Sequence, residues 1–162
     1  MSGPVVAVLN GPNLNLLGRR QPALYGADTL ADVEERCVRT AARYGCRVDF
    51  RQSNHEGVLI DWVHELRESA AGLVVNAGGY THTSVALRDA LATVAGPVVE
   101  VHLTNVHARE DFRHRSYLAE VATAVVAGLG PAGYAAAVEY VARHAVARPS
   151  TGWEVRHVAT VD

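Results

Sequence analysis

Apolar residues gather in five short runs along the chain, at residues 5–9, 47–52, 73–76, 98–103 and 124–127. The runs are rich in valine and lack a polar alternate face, the pattern of strands covered on both sides. Segments of helical character lie between them. Residues 29–44 end at Gly45, a residue that stops helices. Residues 56–70 place Leu59, Val63 and Leu66 on one face, and residues 84–94 and 133–147 complete the set. The longest weakly apolar stretch, residues 121–138, is broken by Gly130 and Pro131. It therefore predicts a strand, a turn and a helix rather than a membrane span.

Strand–helix alternation at this spacing predicts a flavodoxin-like, three-layer α/β sandwich. Its five-stranded parallel sheet is expected in the order 2-1-3-4-5. Residues 1–147 are expected to form one domain and residues 148–162 a tail. Within the tail, residues 148–152 read as a linker, and residues 153–161 as a peripheral strand or a disordered end. Ligands of such sheets bind beyond the carboxyl ends of the strands. The segments that follow strands one, three and four begin at Asn10, Asn76 and Glu100, and all three are crowded with Asn, His, Gly and hydroxyl residues. Strand interiors need none of these, so the convergence marks a site.

Composition narrows the chemistry. Of 162 residues, 49% are hydrophobic and 20% charged, which suits a globular domain. A net charge of -2 argues against nucleic acid as a partner. The 15 basic residues are all arginine. With no lysine, a Schiff base, an internal pyridoxal phosphate linkage and a P-loop are excluded. Cys37 and Cys46 lack metal-ligand spacing and read as buried, reduced thiols. No basic segment followed by an apolar one opens the sequence, so a cytoplasmic location is expected.

The stretch from Asn10 to Tyr25 is long for a strand-to-helix connection, as lids and binding loops are, with Gly18, Pro22 and Gly26 as turn or hinge residues. Tyr25 follows Arg19 and Arg20. The three form either a surface cluster or a tyrosine whose pKa is lowered by a guanidinium. A phenol ionises near 10, so appreciable phenolate at neutrality needs ~3–4 kcal/mol of stabilisation. Glu100 and His102 alternate onto one face of strand four. They are either a satisfied polar pair or a carboxylate orienting a catalytic histidine. A metal held by His82, His102 and His107 is a third option. Arg109 and Arg113, four apart, read as one helical face that is either solvated with Glu110 and Asp111 or closed over a carboxylate. Thr104, with the amides of Leu103 and Thr104, suits an anion, and Asn13 and Asn76 are neutral donors. Arg88 and Asp89 form an intrahelical pair or reach a neighbouring subunit.

Four motifs carry a resemblance: Leu9-Asn10-Gly11-Pro12-Asn13-Leu14-Asn15, Gln52-Ser53-Asn54-His55-Glu56-Gly57, Asn76-Ala77-Gly78-Gly79-Tyr80-Thr81-His82-Thr83-Ser84-Val85-Ala86, and Glu100-Val101-His102. In this order, over about residues 5–144, they resemble type II 3-dehydroquinate dehydratase. The resemblance implies an anti elimination of water from 3-dehydroquinate to 3-dehydroshikimate, through an enolate, in the shikimate pathway. It implies Tyr25 as base, with Arg20 tuning its pKa, and Asn13 holding the water that stabilises the enolate. His102 is implied as the acid, supported by Glu100 and Asn76. Leu103 and Thr104 would bind the substrate carboxylate, His82 and Arg113 its ring hydroxyls, and Arg109 would belong to a lid. Asp89 would act from the adjacent subunit of a trimer, with four trimers in a dodecamer. No metal or organic cofactor is implied. Thr104 stands where serine is frequent, and the tail lies outside the resemblance.

Two rivals follow from fold alone. A flavin or nucleotide module would need a Ser/Thr/Gly phosphate loop, whereas residues 10–18 are rich in Asn and Leu. A catalytically silent interaction protein would have no use for Tyr25, Arg20, His102 and Glu100 together.

Overall fold

Val6 and Val8 pack with one buried cluster while Ala7 and Leu9 pack with another, and all four are buried. That one strand explains why the apolar runs carry no polar alternation: both of its faces meet helices. The computed structural model describes residues 3–147. Its strands are β1 (Val5–Asn10), β2 (Arg47–Gln52), β3 (Gly72–Asn76), β4 (Val98–His102) and β5 (Ala124–Ala127). They form a parallel sheet in the order β2-β1-β3-β4-β5. The expected topology is thus found, and the fold is the doubly wound, flavodoxin-like α/β sandwich. The expectations for residues 148–162 fall outside the described residues.

Among the described residues, five α-helices accompany the sheet: α1 (Pro22–Tyr25), α2 (Leu30–Ala42), α3 (Glu56–Leu66), α4 (Val85–Leu91) and α5 (Ala132–Val146). On one face Val33, Cys37 and Ala41 of α2 and Tyr134, Val138 and Val141 of α5 cover Val6, Val8, Val74 and Val101. On the other, Leu59, Val63 and Leu66 of α3 and Leu87 and Leu91 of α4 cover Ala7, Leu9, Leu73 and Val75. Burying each larger apolar side chain contributes about 1.5–3 kcal/mol. The helix boundaries follow local chemistry. Thr29 and Asp32 form a reciprocal capping box at the start of α2, and Ser84 caps α4. Gly45, with φ of 66°, turns the chain after α2. Cys37 and Cys46 are buried free thiols, and burial pushes the Cys37 thiol up to about 12. Among the described residues no helix is long and apolar enough to cross a membrane.

β2 departs from the expected two-sided burial. It is an edge strand, and Arg47, Asp49 and Arg51 alternate along it with Val48 and Phe50. Arg51 pairs with Asp49 at 2.7 Å and Glu65 at 2.9 Å, and lies over Trp62. A charged edge of this kind discourages pairing with a further strand.

Tyr134 ties α5 to the carboxyl ends of two strands. Its hydroxyl donates to Asn10 Oδ1 at 2.7 Å and accepts from Asn76 Nδ2 at 2.9 Å. The residue is fully buried, and desolvation raises its pKa. Tyr134→Phe would leave Asn10 Oδ1 and Asn76 Nδ2 without this partner and is expected to lower the unfolding free energy by about 1–3 kcal/mol. Urea denaturation with an unchanged m value checks this. An unchanged midpoint would mean that the hydroxyl is structurally idle.

Candidate active site

The carboxyl ends of three adjacent strands lie side by side, because Asn10 is in register with Asn76 and Val75 with Glu100. Gly11, just beyond β1, passes so close to Ala77, just beyond β3, that a Cβ would collide with the Ala77 carbonyl. The two loops therefore share one wall. Together with the loop after β4 they enclose a cavity of about 150 Å³, a volume on the scale of one six-membered ring.

The loop after β1 is built as two turns. A 3-10 turn covers Leu14–Leu16, and α1 begins at Pro22 and ends at Tyr25. Asn13 and Gln21 both take left-handed backbone conformations, with φ of 69° and 44°. Asparagine tolerates this region well; glutamine does so at a cost of roughly 1–2 kcal/mol. Gly18 and Gly26, with φ of 85° and 81°, supply the turns assigned to them. These bends bring Asn13, Arg20 and Tyr25 to the cavity wall. Leu14 and Leu17 line it too. Sequence reasoning singled out neither, although their three-residue spacing was a signal for one apolar face.

From β3 and the turn after it come Asn76 and His82. Asn76 does not hydrogen-bond His102: its amide nitrogen donates to Tyr134 and its carbonyl accepts from the Gly78 amide at 3.2 Å. His82 Nδ1 lies 2.7 Å from the Arg115 carbonyl. A carbonyl only accepts, so this contact assigns a proton to Nδ1.

From β4 and its loop come His102, Leu103, Thr104, Arg109 and Arg113. His102 Nε2 lies 2.6 Å from Glu100 Oε1, and the side chains are 8% and 1% exposed. Glu100 sits behind the histidine and does not line the cavity. Such a buried contact fixes the orientation of the imidazole ring. His82 and His102 stack at 6.3 Å, whereas His107 packs against His114 at 6.0 Å. The three histidines raised as a metal set thus do not converge, and no group of three His, Cys, Asp or Glu among the described residues is placed to hold a metal.

Arg109 and Arg113 do not share a helical face. Each belongs to a separate 3-10 turn region, Val106–Ala108 and Asp111–Arg113, with extended backbone at Arg109 between them. They still reach the same cavity, bridged by Glu110 at 3.5 and 2.9 Å. The Glu110 backbone amide and the Arg113 guanidinium hold its carboxyl below the usual range. The guanidinium bonded to the tyrosine is that of Arg109, whose Nη1 donates to Tyr25 Oη at 2.9 Å and to Thr104 Oγ1 at 3.4 Å. Arg20 lines the cavity without a hydrogen bond to Tyr25. Asp89 lies away from the cavity, on α4, paired with Arg88 at 2.9 Å.

The cavity joins a tyrosine under a guanidinium to a histidine backed by a carboxylate, an arrangement suited to taking one proton and giving another. A family model described as Dehydroquinase class II matches residues 4–142. The chain belongs to this family. A curated dehydroquinase relative, the 3-dehydroquinate dehydratase of Methylobacterium radiotolerans, is 60% identical over 90% of this chain and 97% of its own length. The protein of the same name from Streptomyces coelicolor is 60% identical over 85% of this chain and 88% of its own. A solved type II dehydroquinase from Butyrivibrio crossotus superposes with a TM-score of 0.83 at 38% identity, covering 87% of this chain and 99% of that one. The class II dehydroquinase match includes every residue of the cavity.

Proposed function

We propose that this chain is a 3-dehydroquinate dehydratase, a hydro-lyase of the shikimate pathway that converts 3-dehydroquinate to 3-dehydroshikimate by anti elimination of water. The observation that carries the reading is the convergence, in a class II dehydroquinase, of Tyr25 under Arg109 and His102 on Glu100 around one cavity.

In this reading Tyr25 removes the proton alpha to the ketone. Its phenolate needs ~3–4 kcal/mol of stabilisation at neutral pH. A hydrogen bond from a charged donor contributes about 1.5–3 kcal/mol. Arg109, whose side chain is 14% exposed, supplies that bond, and Arg20 adds its field from the same wall. Asn13 holds the water that stabilises the enolate. His102, held in place by Glu100, then protonates the departing hydroxyl, while Asn76 shapes the floor beside it. Leu103 and Thr104 take the substrate carboxylate, and His82 and Arg113 the ring hydroxyls. Arg109 belongs to the lid as well as to the base.

Residues 1–147 form the catalytic domain in this reading, acting in the cytoplasm. The oligomer is a dodecamer of four trimers in which Asp89 reaches a neighbouring site. Its support is the exposure of Val85 and Asp89, one turn apart on α4.

The elimination runs through side chains alone, without metal or organic cofactor. Purified protein is therefore expected to convert 3-dehydroquinate to an enone, followed by rising ultraviolet absorbance, at the same rate with and without a chelator. Absence of turnover would refute the substrate, and a rate abolished by the chelator would refute the cofactor-free chemistry.

A further inference from the structure

Glu100 receives two hydrogen bonds, both on one oxygen. His102 Nε2 approaches Oε1 at 2.6 Å, and Ser116 Oγ donates to the same Oε1 at 2.7 Å. The second oxygen, Oε2, is buried and has no partner among the described residues. Besides the histidine, then, Ser116 is the one side chain among the described residues that satisfies this carboxylate. The hydroxyl is itself aimed. Ser116 Oγ accepts from the amides of Leu118 at 3.1 Å and Ala119 at 3.0 Å. With two N–H donors on its lone pairs, the hydroxyl hydrogen is left to point at Glu100. The segment is pinned in turn, since the Tyr117 amide donates to the Thr81 carbonyl at 3.0 Å.

We infer that Ser116 is a positioning residue for the His102 acid, acting through Glu100 by holding its carboxylate ionised and fixed against the imidazole. The inference rests on the dehydratase reading. A carboxylate that is 1% exposed resists ionisation unless donors surround it. Removing one of two donors raises the proton affinity of Glu100. The coupled Glu100–His102 pair then holds its protons to higher pH in both of its titration steps. The hydroxyl stands behind the histidine and does not line the cavity, so substrate affinity is untouched.

The test is a set of variants assayed with 3-dehydroquinate over the pH range. Ser116→Ala is expected to lower kcat about tenfold with KM nearly unchanged, since charge-assisted hydrogen bonds carry roughly this weight. The high-pH limb of the kcat profile, which reports the Glu100–His102 pair, should move up by about one pH unit, while the low-pH limb set by Tyr25 stays. Ser116→Thr, which keeps a hydroxyl, should restore both. In the Glu100→Gln background the Ser116→Ala change should cost little further, because its route is gone. Should Ser116→Ala not fold, Ser116→Cys, which keeps the volume and weakens the donor, gives the same reading. An unmoved pH profile, a KM effect as large as the kcat effect, or full additivity with Glu100→Gln would overturn the proposal. Lack of turnover in the unmutated protein would instead reject the dehydratase reading itself.

Discussion

Tyr25→Phe is expected to lower kcat by about three orders of magnitude while the fold, the assembly and substrate binding persist. Loss of a positioned general base costs typically 10²–10⁴-fold, and here the lost oxygen is the acceptor of the Arg109 hydrogen bond. The ring stays, packed beside the core with Leu14, so stability should change little. Arg109 loses that contact but keeps Thr104 and Glu110, which argues against a collapse of the lid. Steady-state kinetics with a circular dichroism control decides the matter. A variant that retains wild-type kcat removes Tyr25 as the base.

His102→Ala separates the two proton transfers. Dehydration should again fall by about 10²–10⁴-fold, but the first half of the reaction keeps its base. The variant should therefore exchange the alpha proton of 3-dehydroquinate with deuterated solvent while forming no enone. Proton NMR of the recovered substrate provides the readout. Exchange without dehydration supports an enolate that waits for its acid. Dehydration at wild-type rate would remove His102 from the reaction. Loss of exchange together with dehydration would mean that both transfers occur in one step. In the same experiment Tyr25→Phe should show neither exchange nor product.

The sheet was legible because its signal is local. Valine runs with no polar alternation set four of the five strands, and Gly45 and the Thr29 cap set the limits of α2. Residues 47–52 were expected to be covered on both sides like the others, but Arg47, Asp49 and Arg51 alternate with Val48 and Phe50 and mark β2 as an edge. The site was legible because each of its loops follows a strand end, so fold and residue type pointed to one place. What escaped depends on tertiary approach. The guanidinium on Tyr25 comes from 84 residues away rather than from the adjacent Arg20, since extended backbone at Arg109 turns it inward. A spacing of four made Arg109 and Arg113 look helical, but a break between two 3-10 turns carries them. Ser116 carries no sequence signal at all. Its meeting with Glu100 depends on how residues 114–119 pass β4.

The phenol of Tyr134 has a consequence for the order of assembly. Asn10 and Asn76, at the ends of β1 and β3, are both held by one hydroxyl from the last helix. During synthesis the loops that carry Asn13, Tyr25, His82 and His102 leave the ribosome well before that helix does. They cannot close on a finished floor until residue 134 arrives and docks. A nascent chain halted before α5 would hold nearly every reacting group and still lack the geometry to use them. Competence to turn over substrate should therefore switch on late, as the last layer of the sandwich is laid down.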